Sequence, residues 1–220
     1  MVITIRHEER KDFRRVEEII REAFWNLYCP GCNEHFIVHN MRKHPDFMPE
    51  LTFVIERKGE LLGSIFYTHS KVISRDGTEH KTVTFGPVGI LPEFQRRGLG
   101  RALIEHSIIE AKKLGHRAII IGGYPYHYKT YGFVGAKKYG ISLPDGKYYS
   151  GIMALPLYEG ALAEVCSSVH FSDALEPDES DLAEFDATFP PKIKQVQASQ
   201  TEFEKAVNEI DIQEYVNSSN

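Results

Sequence analysis

The segment from Gln95 to Arg101 is the part of the chain whose residue types and spacing best suit the binding of a charged ligand. Gly98 and Gly100 allow backbone angles that other residues avoid, and they let the main chain approach a ligand closely. A helical pattern follows, and the first N–H groups of a helix are unpaired and carry partial positive charge, which attracts phosphate oxygens. Three side chains add positive charge: Arg96, Arg97 and Arg101. The segment therefore predicts a site for a phosphate-containing ligand.

Two other phosphate-binding motifs share glycines with this segment, and neither fits. A P-loop ends in Gly-Lys followed by Ser or Thr, whereas Arg101 and Ala102 stand there. A dinucleotide-binding loop needs a third glycine at the position of Leu103 and a parallel sheet before it. An ordinary glycine turn with a solvated basic edge is the remaining alternative, and the predicted strand and helix on either side argue against it.

Hydrophobic periodicity predicts the elements that must position this segment. We expect strands at 3–6, 53–57, 61–73, 82–91 and 117–122, helices at 12–24, 35–44, 98–114 and 124–131, and a closing antiparallel pair at 133–141 and 148–157. Hairpin turns make the early strands antiparallel. The helix at 98–114 is a crossover, so the strands at 82–91 and 117–122 should be parallel. The predicted fold class is therefore α+β, with a mixed, mostly antiparallel sheet.

The composition indicates a globular protein, since 42% of the 220 residues are hydrophobic and 26% are charged. No apolar run approaches the roughly 20 residues that span a bilayer, and the N-terminus lacks the pattern of a secretory signal. The cysteines Cys29, Cys32 and Cys166 are too few, and odd in number, for a disulfide framework. We therefore predict a cytoplasmic protein with no membrane partner.

The net charge of −5 is unevenly distributed. From residue 156 to the end, fourteen acidic and three basic residues give −11, so the first 155 residues carry +6. A basic part fits nucleic acid or a small polyanion, and the lack of any run of five lysines or arginines favours the small polyanion. We therefore predict no nucleic-acid partner.

The acidic C-terminal part is predicted to be an extension, residues 158–220, that follows a domain of residues 1–157. Apolar residues at helical spacing indicate that the extension packs on the core: Leu182, Phe185, Phe203 and Val207. A helix is expected at 178–188, before two prolines. A last helix is expected to start at the capping-box pattern from Ser199 to Glu202.

Three motifs of the chain resemble the GNAT superfamily of N-acetyltransferases. The loop motif of that family, Gln/Arg-x-x-Gly-x-Gly/Ala after a strand, is similar to Gln95, Gly98 and Gly100. The strand before the loop ends as in the family, at residues 88–92, and an aromatic helix ending in Gly-Phe matches residues 127–133.

The resemblance covers residues 1 to about 157 in element order, and its motifs are specific over residues 82–133. The stretch 25–39 and the acidic extension also resemble the YhbS-type branch of the superfamily.

The resemblance implies acetyl-CoA as cosubstrate, bound in a wedge where the central parallel strands splay apart, with helices on both faces of the sheet. The backbone of Val88, Gly89 and Ile90 would pair with the pantetheine arm. The N–H groups from Arg96 to Arg101, that of Leu99 included, would hold the pyrophosphate. Tyr128 would protonate the leaving thiolate, and a packing ring is its alternative role. Dimers are common in the family, so a homodimer is a further expectation.

In the family an amine attacks the thioester directly, so the resemblance implies acetyl transfer to a primary amine of a small molecule or peptide. The amine must lose a proton, which requires a base or a water chain, and Glu93 beside the loop is badly placed for that role. The acceptor-site candidates lie on the early helices and the third strand: Trp25, Glu34, His35, His39 and His69. A protein that binds acyl-CoA without catalysis is the main alternative, and an interaction domain for nucleic acid or protein is a second.

Cys29, Cys32, His35 and His39 are side chains of the types that bind zinc. The step from Cys32 to His35 is too short for a closed zinc site, and the chain has no second Cys-x-x-Cys. A redox role is disfavoured because the motif follows a helix rather than a strand. We therefore predict no metal.

Overall fold

A mixed β-sheet forms the centre of the protein, in a computed structural model that describes residues 3–163, 165 and 167–215; Cys166 lies outside the described residues. These residues form nine strands: β1 (Thr4–His7), β2 (Phe53–Arg57), β3 (Glu60–Ser74), β4 (Glu79–Ile90), β5 (Ala118–Gly122), β6 (Val134–Gly135), β7 (Ile141–Ser142), β8 (Ile152–Pro156) and β9 (Ser167–His170). Seven lie in the order β1-β2-β3-β4-β5-β8-β6, and β9 pairs with β3 and β7. Because only β4–β5 and β7–β9 are parallel, the predicted α+β class with a mostly antiparallel sheet is confirmed.

Six α-helices accompany the sheet in the described part of the chain: α1 (Phe13–Phe24), α2 (Glu34–Met41), α3 (Leu99–Lys113), α4 (Pro125–Tyr128), α5 (Leu182–Asp186) and α6 (Ala198–Asn208). A Cβ added to Gly89 of β4 would lie 2.9 Å from Ile20 of α1, whereas one added to Gly100 of α3 would lie 3.6 Å from Ile90. Neighbouring residues of a strand point to opposite faces, so α1 and α3 cover opposite faces of β4. None of the described helices is long and apolar enough to cross a membrane.

The helix α3 carries the crossover between the two parallel strands. It begins after Gly98, whose φ of 82° is left-handed, and it buries Leu103, Ile104, Ser107 and Ala111 against the sheet. It stops at Gly115, which has a φ of 79° and so provides the left-handed residue on which many helices end. The predicted bounds of this helix, 98–114, agree with the structure to within one residue at each end.

The closing strands differ from the prediction of a single antiparallel pair. Residues 133–141 do not form one strand: β6 and β7 are two residues each, and a 3₁₀ turn, Ala136–Tyr139, separates them. Gly140 then adopts a left-handed φ of 67°, which redirects the chain. As a result, β6 pairs with β8, whereas β7 pairs with β9 of the extension. The Pro144-Asp145-Gly146 turn therefore does not join two paired strands.

The C-terminal extension contributes both a strand and helices to the fold. Strand β9 pairs with the second half of β3, which sequence periodicity did not indicate. The predicted capping box is wrong, because α6 starts at Ala198 without a side-chain cap. Ser199 lies inside the helix, and its hydroxyl donates to the Leu27 carbonyl oxygen at 2.9 Å. The 178–188 helix is shorter than predicted, with a 3₁₀ turn, Glu179–Asp181, before α5.

The extension is anchored on α1 and on the residues that follow it. Arg21 is buried, and its Nε donates to Asp186 Oδ1 at 2.7 Å. Asn26 is also buried, with a left-handed φ of 61°. Its Nδ2 donates to the Ile193 carbonyl oxygen at 3.0 Å, and its Oδ1 accepts the N–H of Gln195 at 3.0 Å and that of Gly31 at 2.8 Å. Asn26 therefore ties the turn after α1 to the extension.

Replacing Asn26 with alanine is expected to lower the free energy of unfolding by about 2–4 kcal/mol. The substitution removes three hydrogen bonds, leaves the buried N–H of Gly31 without its acceptor, and places alanine at a positive φ that asparagine tolerates better. Urea unfolding measures this change. The matched control is Asn208→Ala, because Asn208 is exposed and its one side-chain bond goes to Glu204 of the same helix. Equal stability of the two variants would contradict the anchoring role of Asn26.

Candidate active site

The edge of β4 that faces β5 is unpaired over its last residues. Among the described residues the two strands pair only at Val83 and Ile119, and no residue of β4 after Val83 pairs with β5. The N–H of Leu91 donates to Leu62 of the strand before it. Because the polar groups of successive residues alternate between the two edges of a strand, those of Val88 and Ile90 point into the gap toward β5. The end of β4 thus offers main-chain donors and acceptors that no strand uses in the described part of the chain.

Gln95 fixes the turn between β4 and the loop. Its Nε2 donates to the Ile90 carbonyl oxygen at 2.9 Å, so this one acceptor of the β4 edge is used internally. The N–H groups of Val88 and Ile90 and the carbonyl of Val88 are left for a ligand. Gly89 contributes in a different way from the other two, because its polar groups face β3 and its missing side chain makes room for α1.

The loop from Gln95 to Gly98 is exposed and its backbone alternates in handedness. Arg96 has a φ of 57° and Gly98 a φ of 82°. The first helical hydrogen bond runs from the N–H of Ala102 to Gly98, so the N–H groups of Leu99, Gly100 and Arg101 precede it and have no helical acceptor. A Cβ on Gly98 would meet nothing within 4 Å. Free N–H groups at a helix start, with open space before them, fit a phosphate.

The three arginines of the loop are exposed but differ in their contacts. Arg101 Nε donates to Glu105 Oε1 at 2.7 Å, which partly neutralises its charge. The Arg97 guanidinium lies 5.6 Å from the centre of the Phe94 ring. The side chains therefore surround the loop with positive charge, while the main chain provides the directed donors.

Tyr128 ends α4 and its ring closes the gap beyond β5. The ring lies 5.7 Å from that of Phe85 and 6.0 Å from that of Phe133, centre to centre. It also covers Gly123, where an added Cβ would lie 2.6 Å from the Tyr128 ring. Burial raises the pKa of Tyr128 to about 12. The residue is partly buried, and its hydroxyl has no hydrogen-bond partner among the described residues. The hydroxyl keeps its proton at neutral pH and can donate it to a ligand.

Glu34 provides the carboxylate among the acceptor-site candidates. No basic side chain pairs with it among the described residues. It is the first residue of α2 and is partly buried. Burial raises its pKa from the ordinary 4.5 to about 7, the N–H groups of Glu34 and Asn33 oppose the shift, and the charge of Glu179 adds to it. Asn33 holds Glu179 in place by donating to it. A carboxylate with a pKa near 7 is suited to accept a proton at physiological pH.

Tyr28 lies near both Glu34 and Tyr128. Burial is the main cause of the raised pKa of its hydroxyl, and the electrostatic influence of Tyr128 and of Glu34 adds to the rise. The carboxylate suited to be a base and the hydroxyl suited to be an acid are therefore both near this tyrosine.

The other early candidates have protein partners. The Trp25 indole N–H donates to Ile193 of the extension at 3.0 Å. His35 is completely buried, and its Nε2 lies 3.0 Å from Asp186 without the alignment of a hydrogen bond; burial lowers its pKa to about 4. His39 Nδ1 lies 3.0 Å from Glu17. These three side chains hold α1, α2 and the extension together.

His69 is exposed but lies far from the loop. It pairs with Val83 in the sheet, whereas the end of β4 at Ile90 pairs with Gly63. The separation of six residues from Gly63 to His69 corresponds to about 20 Å of strand. His69 instead lies near His116, beyond the end of α3.

A cluster of three aromatic rings was missed by the sequence reasoning. Phe203 of α6 stacks on Tyr28, with ring centres 4.0 Å apart and an angle of 23° between the planes. Tyr124, at the start of α4, meets Phe203 edge to face at 5.8 Å. The rich aromatic content of residues 124–131 was a signal for the α4 side of this cluster, but the local sequence gives no sign that Phe203 would reach Tyr28.

The four residues considered for zinc do not converge on one point. Cys29 is exposed, and burial raises the pKa of the Cys32 thiol, so Cys32 is not a thiolate at neutral pH. Among the described residues, the set of metal-ligand side chains whose atoms lie within 4.8 Å of one another is His44, Asp46 and Asp173. There, His44 Nδ1 accepts the N–H of Asp46 at 3.1 Å and Nε2 lies 2.9 Å from Asp173. Both ring nitrogens are thus engaged by the protein.

Two surface cavities lie away from the β4–β5 gap. The larger, of 570 Å³, is bordered by Arg6 of β1, by Lys11 and by Glu60 of β3. The smaller, of 250 Å³, lies between His44 and Asp178. Neither contains a residue of the loop or the tyrosine cluster, so the candidate site rests on the open strand edge and helix start rather than on an enclosed cavity.

The chain belongs to the GNAT acetyltransferase family, because the model of that family matches residues 21–133, just over half of the chain. It is therefore an acyltransferase. The predicted family is confirmed, and the sequence stretch that carried the resemblance lies inside the match. No curated protein matches the sequence.

Solved structures with a similar fold include acetyltransferases bound to CoA and acetyl-CoA. The GNAT family N-acetyltransferase YhbS from Escherichia coli, in complex with CoA, has a TM-score of 0.70 at 20% identity, over 80% of this chain and 92% of that one. A GNAT family acetyltransferase from Brucella melitensis, in complex with acetyl-CoA, has a TM-score of 0.62 at 21% identity, over 79% and 97%. The ribosomal-protein-S18-alanine N-acetyltransferase from Escherichia coli has a TM-score of 0.50 at 23% identity, over 71% and 94%. The likeness to YhbS agrees with the predicted branch.

Proposed function

We propose that this protein transfers the acetyl group of acetyl-CoA directly to a primary amine. The observation that carries the proposal is the junction of two unpaired main-chain surfaces: the β4 edge at Val88 and Ile90, and the N–H groups from Arg96 to Arg101. A ligand with a diphosphate joined to an amide-containing arm would use both. Acetyl-CoA has that chemistry and, when bound, supplies an activated acetyl thioester. The CoA and acetyl-CoA complexes of proteins with the same fold support this choice.

The protein would act on the two protons that the transfer moves. The amine loses a proton as its nitrogen bonds to the acetyl carbon, and the carboxylate of Glu34 would accept it, directly or through a water. The carbon–sulfur bond breaks, and the Tyr128 hydroxyl would donate a proton to the departing sulfur. The raised pKa values of both groups suit these roles, since Glu34 is half ionised near pH 7 and Tyr128 stays protonated.

Replacing Tyr128 with phenylalanine is expected to lower kcat about 10- to 100-fold, because only the hydroxyl that protonates the thiolate is lost. The affinity for acetyl-CoA should not change, since the ring still packs on Gly123 and Phe85. Release of CoA thiol over a panel of amines measures kcat, and calorimetry measures acetyl-CoA binding.

The matched control is Tyr131→Phe, because Tyr131 lies in the same aromatic segment and should contribute packing rather than a proton. A protein that binds acyl-CoA without catalysis would release no CoA above background with any amine. That result, or equal kcat for wild type and Tyr128→Phe, would contradict the assigned role of Tyr128.

A further inference from the structure

The segment 192–211 of the extension is fixed at one end to the turn after α1. The Ile193 carbonyl oxygen accepts the Trp25 indole N–H and the Asn26 amide, each at 3.0 Å. Six residues later, in the first turn of α6, Ser199 Oγ donates to the Leu27 carbonyl oxygen at 2.9 Å, and Gln200 Nε2 donates to the Asn26 carbonyl oxygen at 3.0 Å. The start of α6 is therefore held by the main chain that leads into Tyr28.

The other end of this segment is fixed to the loop before β8. The N–H of Ser150 donates to the Glu209 carbonyl oxygen at 2.8 Å, and the N–H of Asp211 donates to Tyr148 at 2.8 Å. The eleven residues of α6 span about 16 Å at the usual helical rise. The helix thus bridges the turn after α1 and the loop before β8.

The middle of α6 lies over the tyrosines of the candidate site. Phe203 contacts Tyr28 face to face and Tyr124 edge to face, and the charge of Glu202 raises the pKa of Tyr124, after burial and the neighbouring Tyr126. Tyr28 also lies near Glu34 and Tyr128. The helix α6 therefore covers one side of the region around Tyr28 and Tyr124, and it places the Phe203 ring and the Glu202 carboxylate there.

We infer that the segment 192–211 is a wall of the acceptor site, and that the acceptor is a low-molecular-weight amine rather than the amino group of a peptide or protein. The inference rests on the proposed acetyl transfer. Because α6 is bonded at both ends, an extended chain that crosses Tyr28 would have to displace it, whereas a small amine would not. Aromatic faces and carboxylates attract ammonium groups before deprotonation, and the segment supplies both.

The test measures kcat/KM of the full chain with two groups of probes. The small amines are benzylamine, tyramine, putrescine and spermidine, and the chain-like acceptors are an unblocked peptide and a lysine-containing peptide with a blocked N-terminus. The wild type is expected to acetylate at least one small amine in preference to both peptides. Phe203→Ala should lower kcat/KM for that amine about tenfold, mainly through KM, because an aromatic contact with the acceptor wall is lost.

The matched control is Lys205→Ala, an exposed residue of the same helix, which should behave as wild type. Acetyl-CoA affinity should be equal in all three proteins. Should Phe203→Ala fail to fold, Phe203→Leu keeps the apolar contact while removing the ring, and the same loss of kcat/KM is expected.

Two results would overturn the inference while leaving acetyl transfer intact: a wild type that prefers a peptide to every small amine, or a Phe203 variant with unchanged or higher kcat/KM. Higher activity would mean that α6 blocks the site instead of lining it. A wild type that binds acetyl-CoA but acetylates none of the probes would instead count against the proposed function, and the inference would fail with it.

Discussion

Replacing Gly98 with tryptophan is expected to weaken acetyl-CoA binding roughly 100-fold or more, equivalent to about 2.7 kcal/mol or more of binding free energy. Gly98 has a φ of 82°, and nothing lies within 4 Å of an added Cβ. The new side chain would therefore be accommodated by the protein, but it would occupy the space in front of the N–H groups that open α3. A diphosphate could then no longer reach those donors.

The expected loss of affinity is measured by the rise in unfolding temperature that acetyl-CoA produces, since a ligand that binds the folded state stabilises it by an amount that increases with its affinity. Wild type should be protected by acetyl-CoA and by CoA, and Gly98→Trp should not. The variant should retain the circular dichroism of the wild type.

The matched control is Gly77→Trp. Gly77 has a φ of 85° and also has open space around it, but it lies in the hairpin turn at the opposite end of β4. Both substitutions impose a similar backbone cost of about 1–2 kcal/mol. Protection by acetyl-CoA in Gly98→Trp equal to that in Gly77→Trp would refute the diphosphate site at the start of α3.

The parts of the site that the sequence predicted are those formed by residues close together in the chain. The strand, the Gly98 turn and α3 are consecutive, so the free N–H groups follow from local rules on glycine and helix starts. The parallel pairing of β4 and β5 follows in the same way, because a single crossover helix joins them. The position of Tyr128 came from the resemblance rather than from periodicity.

The proposed acceptor side could not be predicted because it is assembled from residues about 170 positions apart. Ser199 fitted the pattern of a helix cap, yet its hydroxyl bonds to Leu27, 172 residues earlier. Phe203 was identified as a packing residue, but its partner Tyr28 is equally distant in the chain. Contacts of this kind depend on how the extension crosses the domain, which no local pattern encodes.

His35 and His39 were predicted as acceptor-site candidates, but contacts from distant parts of the chain engage them. His35 and His39 lie one helical turn apart on α2 and have the chemistry of a base. In the structure they pack against Phe185 of the extension, and Asp186 and Glu17 are their polar neighbours. Glu34, the adjacent residue, has no such cation or acid pairing. Long-range contacts with the extension and with α1, and not residue type, therefore leave Glu34 rather than His35 or His39 available as a base.

Replacing Glu34 with glutamine should lower kcat/KM at pH 8 roughly 100-fold, because the amide cannot accept a proton from the amine. The wild-type kcat/KM should rise with pH through a pKa near 7 as Glu34 ionises, and the variant should lose that rise. Glu179→Gln is the matched control. It removes the neighbouring charge that raises the pKa of Glu34, so the rise should move to lower pH while activity at pH 8 is kept.

Glu34→Gln should also be more stable than wild type at high pH. A carboxyl whose pKa is higher in the folded state than in the unfolded state binds its proton more tightly when folded, so stability falls as pH rises from about 4.5 to about 7. Glu34→Gln removes this loss, and its gain in unfolding free energy at pH 8 is on the order of 1–3 kcal/mol, vanishing below pH 4.5 or so. A buried structural carboxylate would give lower activity with lower stability. Lower activity with higher stability is the combination expected of a base held in an unfavourable environment for its chemistry, and urea unfolding at pH 4 and pH 8 distinguishes the two.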